Sequence, residues 1–281
     1  MRSIDHLTGG EIAQIAYDQP PIKPFGVGFA SEVLTYILTI LCAIVVGLRV
    51  YVRTFKETTK QKWRINDYLA VFGFLPLIPA GVFAVLSGRY GIGQPDSHFK
   101  KFENHEFLRV RGLEYLIWYE LTYYAASTIT KFAIAFTILH ICMDRKYAYL
   151  MYSIMVIMAL SMAGCLIALF VNCQPFPAYW NPKIGHCKDV QGFLILSYCG
   201  TAAQVAMDWS CAITPFFIVR TLQMPRRTKI SVIAILGLGI LASIAALMRI
   251  ISYKYIDEIR YPNDHMRKHT PHSFPLIELW N

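Results

Sequence analysis

Apolar runs of 20 or more residues restrict this chain more than anything else in its sequence. Such a run can cross a hydrocarbon core about 30 Å thick as a helix. In lipid every backbone N–H and C=O needs an internal partner, so the runs read as helices. The spans fall at about 30–51, 67–86, 116–141, 147–171, 193–219 and 230–251. A last segment, from Phe274 to Asn281, reads as a seventh span entered and cut short. The expected fold is all-α, a polytopic transmembrane helical bundle of six complete spans plus a truncated seventh. Residues 1–29 form an extracellular N-terminal segment and 30–281 one transmembrane domain. Composition excludes a soluble globule: only 16% of residues are charged, against about 25% in soluble domains. No cleavable signal-peptide pattern precedes the first run, which follows a polar lead.

The net charge of +9 does not point to nucleic acid, because the basic residues sit in short segments between apolar runs. Segments 52–66, 143–147 and 220–229 hold 11 Lys/Arg in 30 residues. The segments 1–29, 87–115, 172–192 and 252–275 hold 13 in 103. The positive-inside rule therefore places the first group in the cytoplasm and the N-terminus outside. Plasma membrane is the default location, since the C-terminus carries no retention signal. Of seven cysteines, five (Cys42, Cys142, Cys165, Cys199, Cys211) lie in or at the ends of apolar runs and read as small core residues. Cys173 and Cys187 fall in an outer loop, where a disulfide is permitted. A bridge would make NCQPFPAYWNPKIGHC a compact lid; otherwise the two are separate thiols.

Ionisable residues at bilayer depth are costly and mark candidate sites. Four stand out: Glu120 and Lys131 on the third span, Asp208 on the fifth and Arg249 on the sixth. Glu120, Tyr124, Ser127 and Lys131 share one helix face. Glu120 and Lys131 are about 16 Å apart along the axis, too far to pair. Lys131 and Asp208 each lie about 15 residues below the outer start of their spans, so an intramembrane ion pair is allowed. Glu120 and Arg249 form a shallower set near the outer mouth, where structural and ligand-facing roles are both open. The ligand pocket is assigned to Glu120, Tyr124 and Arg249. Pro215 is read as a kink in the fifth span.

Other signals lead nowhere. His265, His269 and His272 have ligand-like spacing, but Pro271 interrupts the segment, and no metal site or cofactor is expected. External histidines such as His98, His105 and His186 read as solvated loop residues. A retinal Schiff base needs a lysine in the pocket, and only Lys131 lies deep, so light sensing is not expected.

Several motifs together resemble the fungal rhodopsin-like integral membrane family, which includes the satratoxin-cluster membrane proteins and is related to receptor-like proteins. They are Arg64-Ile65-Asn66-Asp67-Tyr68 before the second span, the turn Tyr90-Gly91-Ile92-Gly93, and Lys131. Later come CQPFPAYWNPKIGHC, Asp208 through Pro215, LQMPRRTKI, LGLGILASIAALMRI and Leu276-Ile277-Glu278. Asn66 stands where the family has an aspartate, and His140 where an arginine is common. The resemblance implies a seven-helix, receptor-like protein, with some members in secondary-metabolite gene clusters. It implies neither an established ligand nor catalysis. The partners expected are membrane lipids, a small molecule at the outer face, and a cytoplasmic protein at the basic loops around Lys62, Arg64, Arg226 and Arg227. Two alternatives are a membrane-embedded cyclase or isomerase using Glu120 or Asp208 as acid, and a non-functional truncated member.

Overall fold

Lipid forces long apolar runs to coil, and helices dominate the computed structural model of the protein. It describes residues 6–55, 65–94, 104–141, 145–187 and 198–211, with Phe99, Phe102 and Ile213. The expected span at 230–251, the segment from Phe274, Pro215, Arg249 and the basic loops around Lys62–Arg64 and Arg226–Arg227 lie outside the described residues.

Helix α1 (Gly9–Tyr17) is short and amphipathic. Helix α2 (Val27–Phe55) contains the first expected span. Leu34, Ile37, Leu41, Ile44 and Leu48, all more than half exposed, make a stripe along it. Water does not tolerate so continuous an apolar surface, whereas lipid does. The second expected span is broken into α3 (Ile65–Phe74) and α4 (Leu77–Arg89). Pro76 at the break and Pro79 in the next turn supply no N–H, which removes two bonds from the helical ladder. Beyond α4 the chain turns at Gly91 and Gly93, with φ of +95° and +82°. A Cβ on Gly91 would fall 2.0 Å from the Phe99 ring, so the turn needs glycine for both backbone and space.

Helix α5 (His105–Ile141) is 37 residues long and begins well before the expected boundary at 116. At about 55 Å it exceeds the hydrocarbon core, so one end stands clear of it. Helix α6 (Arg145–Asn172) contains the fourth expected span, and α7 covers 198–211. Among the described residues, three stretches are long and apolar enough to cross a membrane: Gly28–Phe55, Asp67–Arg89 and Ala148–Asn172. The protein is a helical membrane protein. Its α5 is more polar than those three, with Glu106, Arg109, Arg111, Glu114, Glu120 and Lys131 along it.

Helix α5 is the hub, packing on α1, α3, α4 and α6. One core joins Ala135 and Ile138 of α5 to Met151, Met155 and Met158 of α6 and Met207 and Cys211 of α7. Methionine's unbranched, polarizable side chain fills such three-helix gaps without strain. A second, smaller core lies at the other end of α5, where Ile12 and Ala16 of α1 pack on Phe107.

Candidate functional site

The loop after α6 is tied by a disulfide between Cys173 and Cys187, 14 residues apart. The two cysteines also face each other across a minimal antiparallel ladder, β1 (Cys173–Gln174) with β2 (His186–Cys187). Between them runs a single 3₁₀ turn (Phe176–Tyr179) after a cis Gln174–Pro175 peptide. Phe176 anchors the loop: its ring lies 6.0 Å from Trp118 of α5 and 5.3 Å from Phe170 of α6. Asn181, 1% exposed, donates from Nδ2 to the Gly9 carbonyl at 2.9 Å. Helix α1 and the disulfide loop are thus one cap over the ends of α5 and α6. The sequence assigned residues 1–29 to an N-terminal segment without a helix in it, so α1 is an addition.

Three further ion-pair sets were not singled out from the sequence. Arg111, 7% exposed, stacks between Tyr17 at 3.8 Å and Tyr115 at 4.6 Å. It also donates to Glu114 and, at 2.8 Å, to the Tyr115 hydroxyl. Cation–π stacking and a carboxylate together offset the loss of water around the guanidinium. Arg89 at the end of α4 reaches Glu32 of α2 with Nε at 3.1 Å. Asp67, 2% exposed, accepts from Arg49 at 3.0 Å and lies 3.3 Å from Arg53, which fixes the start of α3 to the end of α2.

Within the bundle, Lys131 Nζ donates to Asp208 Oδ2 at 2.9 Å and to the Gln204 carbonyl at 3.1 Å. Both ion-pair side chains are 13% exposed, so the structure brings these two residues together in a dry setting. Tyr124 lies two turns from Lys131 on α5. Its hydroxyl faces Ser161 and Cys165 of α6 and Gln204 of α7 without meeting hydrogen-bond geometry with any of them. Tyr124 Oη, Ser161 Oγ and Gln204 Nε2 are all buried with no hydrogen-bond partner among the described residues. A buried polar group left unpaired costs about 1–3 kcal/mol. Three such groups facing one another call for an explanation. Glu120 sits one turn from Tyr124, half-buried. The third member of the assigned pocket, Arg249, lies outside the described residues. Neither Ser161 nor Gln204 was picked out from the sequence, since uncharged residues in a span carry little signal alone. Among the described residues no cluster of three or more His, Cys, Asp or Glu could hold a metal ion.

The arrangement is thus a polar centre between α5, α6 and α7, a disulfide-closed cap at one end and an arginine–aspartate clamp joining α2 to α3. The fungal rhodopsin domain matches the chain over residues 48–279. The protein belongs to that family. No curated protein and no solved structure matches it. The fungal rhodopsin domain as matched starts at Leu48, inside α2, and includes the Asp67 clamp, Tyr124, Lys131, the disulfide loop and Asp208. Helix α1 precedes it, so the Asn181–Gly9 contact links the domain to a segment outside the matched range.

Proposed function

We propose that this fungal rhodopsin-domain protein is receptor-like and takes a small molecule from the outer face, between α5, α6 and α7. The Cys173–Cys187 loop and α1 would form the lid, and Glu120, Tyr124 and Arg249 would touch the ligand. The carrying observation is the buried, unpartnered hydroxyl of Tyr124, which lacks the partner a purely structural tyrosine acquires. In this reading the N-terminus faces outward in the plasma membrane, and a cytoplasmic partner engages the basic loops around Lys62, Arg64, Arg226 and Arg227. Surrounding lipid supplies the remaining contacts. The resemblance of its motifs to the satratoxin-cluster proteins suggests secondary-metabolite biosynthesis as the setting.

The test is thermal unfolding of the purified protein in detergent across a library of lipophilic metabolites. Any stabilising compound should lose affinity by about tenfold or more in Glu120→Gln and in Arg249→Gln. Unchanged affinity in both variants would show the pocket assignment to be wrong. The competing reading, a cyclase or isomerase protonating its substrate, draws less support. Asp208 has its carboxylate engaged by Lys131 rather than presented to a substrate.

A further inference from the structure

We infer that Tyr124, Ser161 and Gln204 form an oxygen-recognition subsite for the carbonyl or hydroxyl oxygen of an otherwise apolar, neutral small molecule; this rests on the receptor reading and narrows its ligand class. Three helices each send one hydrogen-bonding atom to the same place. The bare Cα of Gly200 on α7 borders it and lets the three helices bring these groups close. The position a Cβ would take there is 2.7 Å from Tyr124 Oη, 3.0 Å from Cys165 Sγ and 3.5 Å from Ser161 Oγ. Gln204 follows one turn later on α7, only 6% exposed, with its amide nitrogen unpartnered.

Neighbouring hydroxyls behave differently. Thr122, Thr128, Thr130 and Thr137 of α5 and Ser210 of α7 all donate to the carbonyl four residues back, at 2.7–2.9 Å. That local bond is the usual resting place for a hydroxyl in an apolar helix. Ser161 does not take it, so its hydroxyl stays free to meet something else. Gln204 Nε2 can only donate, and Tyr124 and Ser161 can each donate once. The complement to such a set is an acceptor oxygen. A charged ligand is disfavoured, because the neighbouring Lys131 and Asp208 neutralise each other. The atoms lie about 12–17 Å inside the expected outer ends of their spans, a depth that admits lipophilic molecules.

A matched series of rings tests this: cyclohexanone through cyclododecanone against cyclohexane through cyclododecane, by thermal unfolding of the full chain in detergent. At least one ketone should bind about tenfold or more tighter than its hydrocarbon. That preference should vanish in Tyr124→Phe and Ser161→Ala. Without any probe, both variants should unfold at or above the parent's temperature, since each removes an unpaired buried atom. A lower unfolding temperature in both would reveal an ordered water as the true partner and overturn the proposal. Equal binding of ketones and hydrocarbons would also overturn it while leaving a small-molecule pocket, and so the receptor reading, in place. If no ring binds, the subsite falls, and the Glu120 and Arg249 variants judge the receptor reading separately.

Discussion

Lys131 and Asp208 are 77 residues apart in sequence and 2.9 Å apart in space. Removing one partner of a buried pair leaves an uncompensated charge and costs about 3–5 kcal/mol, whereas replacing both with apolar residues is often neutral. Lys131→Met and Asp208→Leu should each lower the unfolding temperature sharply, and the double variant should recover most of the loss. Additive single effects in such a cycle would mean that the pair is not coupled. This contact could be anticipated because charges inside apolar runs are conspicuous and helical rise converts residue count into depth. Ser161, Gly200 and Gln204 offered no such handle. Each is ordinary alone, and only three-dimensional convergence gives them meaning. Glu32 escaped notice, and Asp67 was noted only within a motif and not as an ion-pair member, for another reason: they sit at the ends of apolar runs, where a charge looks like a boundary.

Among the elements, α1 shows how a local signal can be present and still be passed over. Thr8-Gly9-Gly10-Glu11 has the spacing of a capping box, and Ile12 and Ala16 are one turn apart, but two glycines in the first turn weaken the helical pattern. The Thr8 N–H and hydroxyl both donate to Glu11 Oε2 at 2.8 Å. Those bonds, first the backbone one, hold the Glu11 carboxyl below its ordinary value of 4.5. A group depressed in the folded state contributes stability above its unfolded value, and that contribution disappears as pH falls through the folded one. The protection of amides at the start of α1, relative to their intrinsic exchange at each pH, should therefore be flat from neutrality to about pH 5 and fall below the ordinary carboxylate range. Glu11→Gln should flatten the acid response; an identical acid response in that variant would place the cause elsewhere. The break between α3 and α4 was readable from Pro76 and Pro79, yet the run is apolar enough that hydropathy alone joins it. The early start of α5 was less so, because its first turns are polar and owe their helicity to packing under α1.

At the scale of the molecule, the first, second and fourth expected spans correspond to helices long and apolar enough to cross a membrane. Orientation rests on lysine and arginine bias and is open to a direct check. Asp18 and Lys146 are both exposed, at opposite ends of the described bundle. With the N-terminus outside, a membrane-impermeant maleimide should label Asp18→Cys on intact cells and Lys146→Cys only after permeabilisation. The reverse pattern would invert the topology and move the disulfide loop to the reducing side. The family, the apolar helices and the tied loop were all legible in the sequence. The polar centre was legible in its charged members and in Tyr124 on their helix face, but not in Ser161 or Gln204, because hydrogen-bonding deficits exist in space and not in a string of residues.

One contact also orders events in time. Gly9 leaves the ribosome early, yet Asn181, which binds its carbonyl, is made 172 residues later. At about 5–20 residues per second, α1 waits roughly 10–35 s for the loop that receives it. Its apolar face, Ile12 and Ala16, can rest sooner, because Phe107 is made well before Asn181. The Asn181–Gly9 bond is therefore a late latch, closed only after α1 and the helix it packs on have both been made.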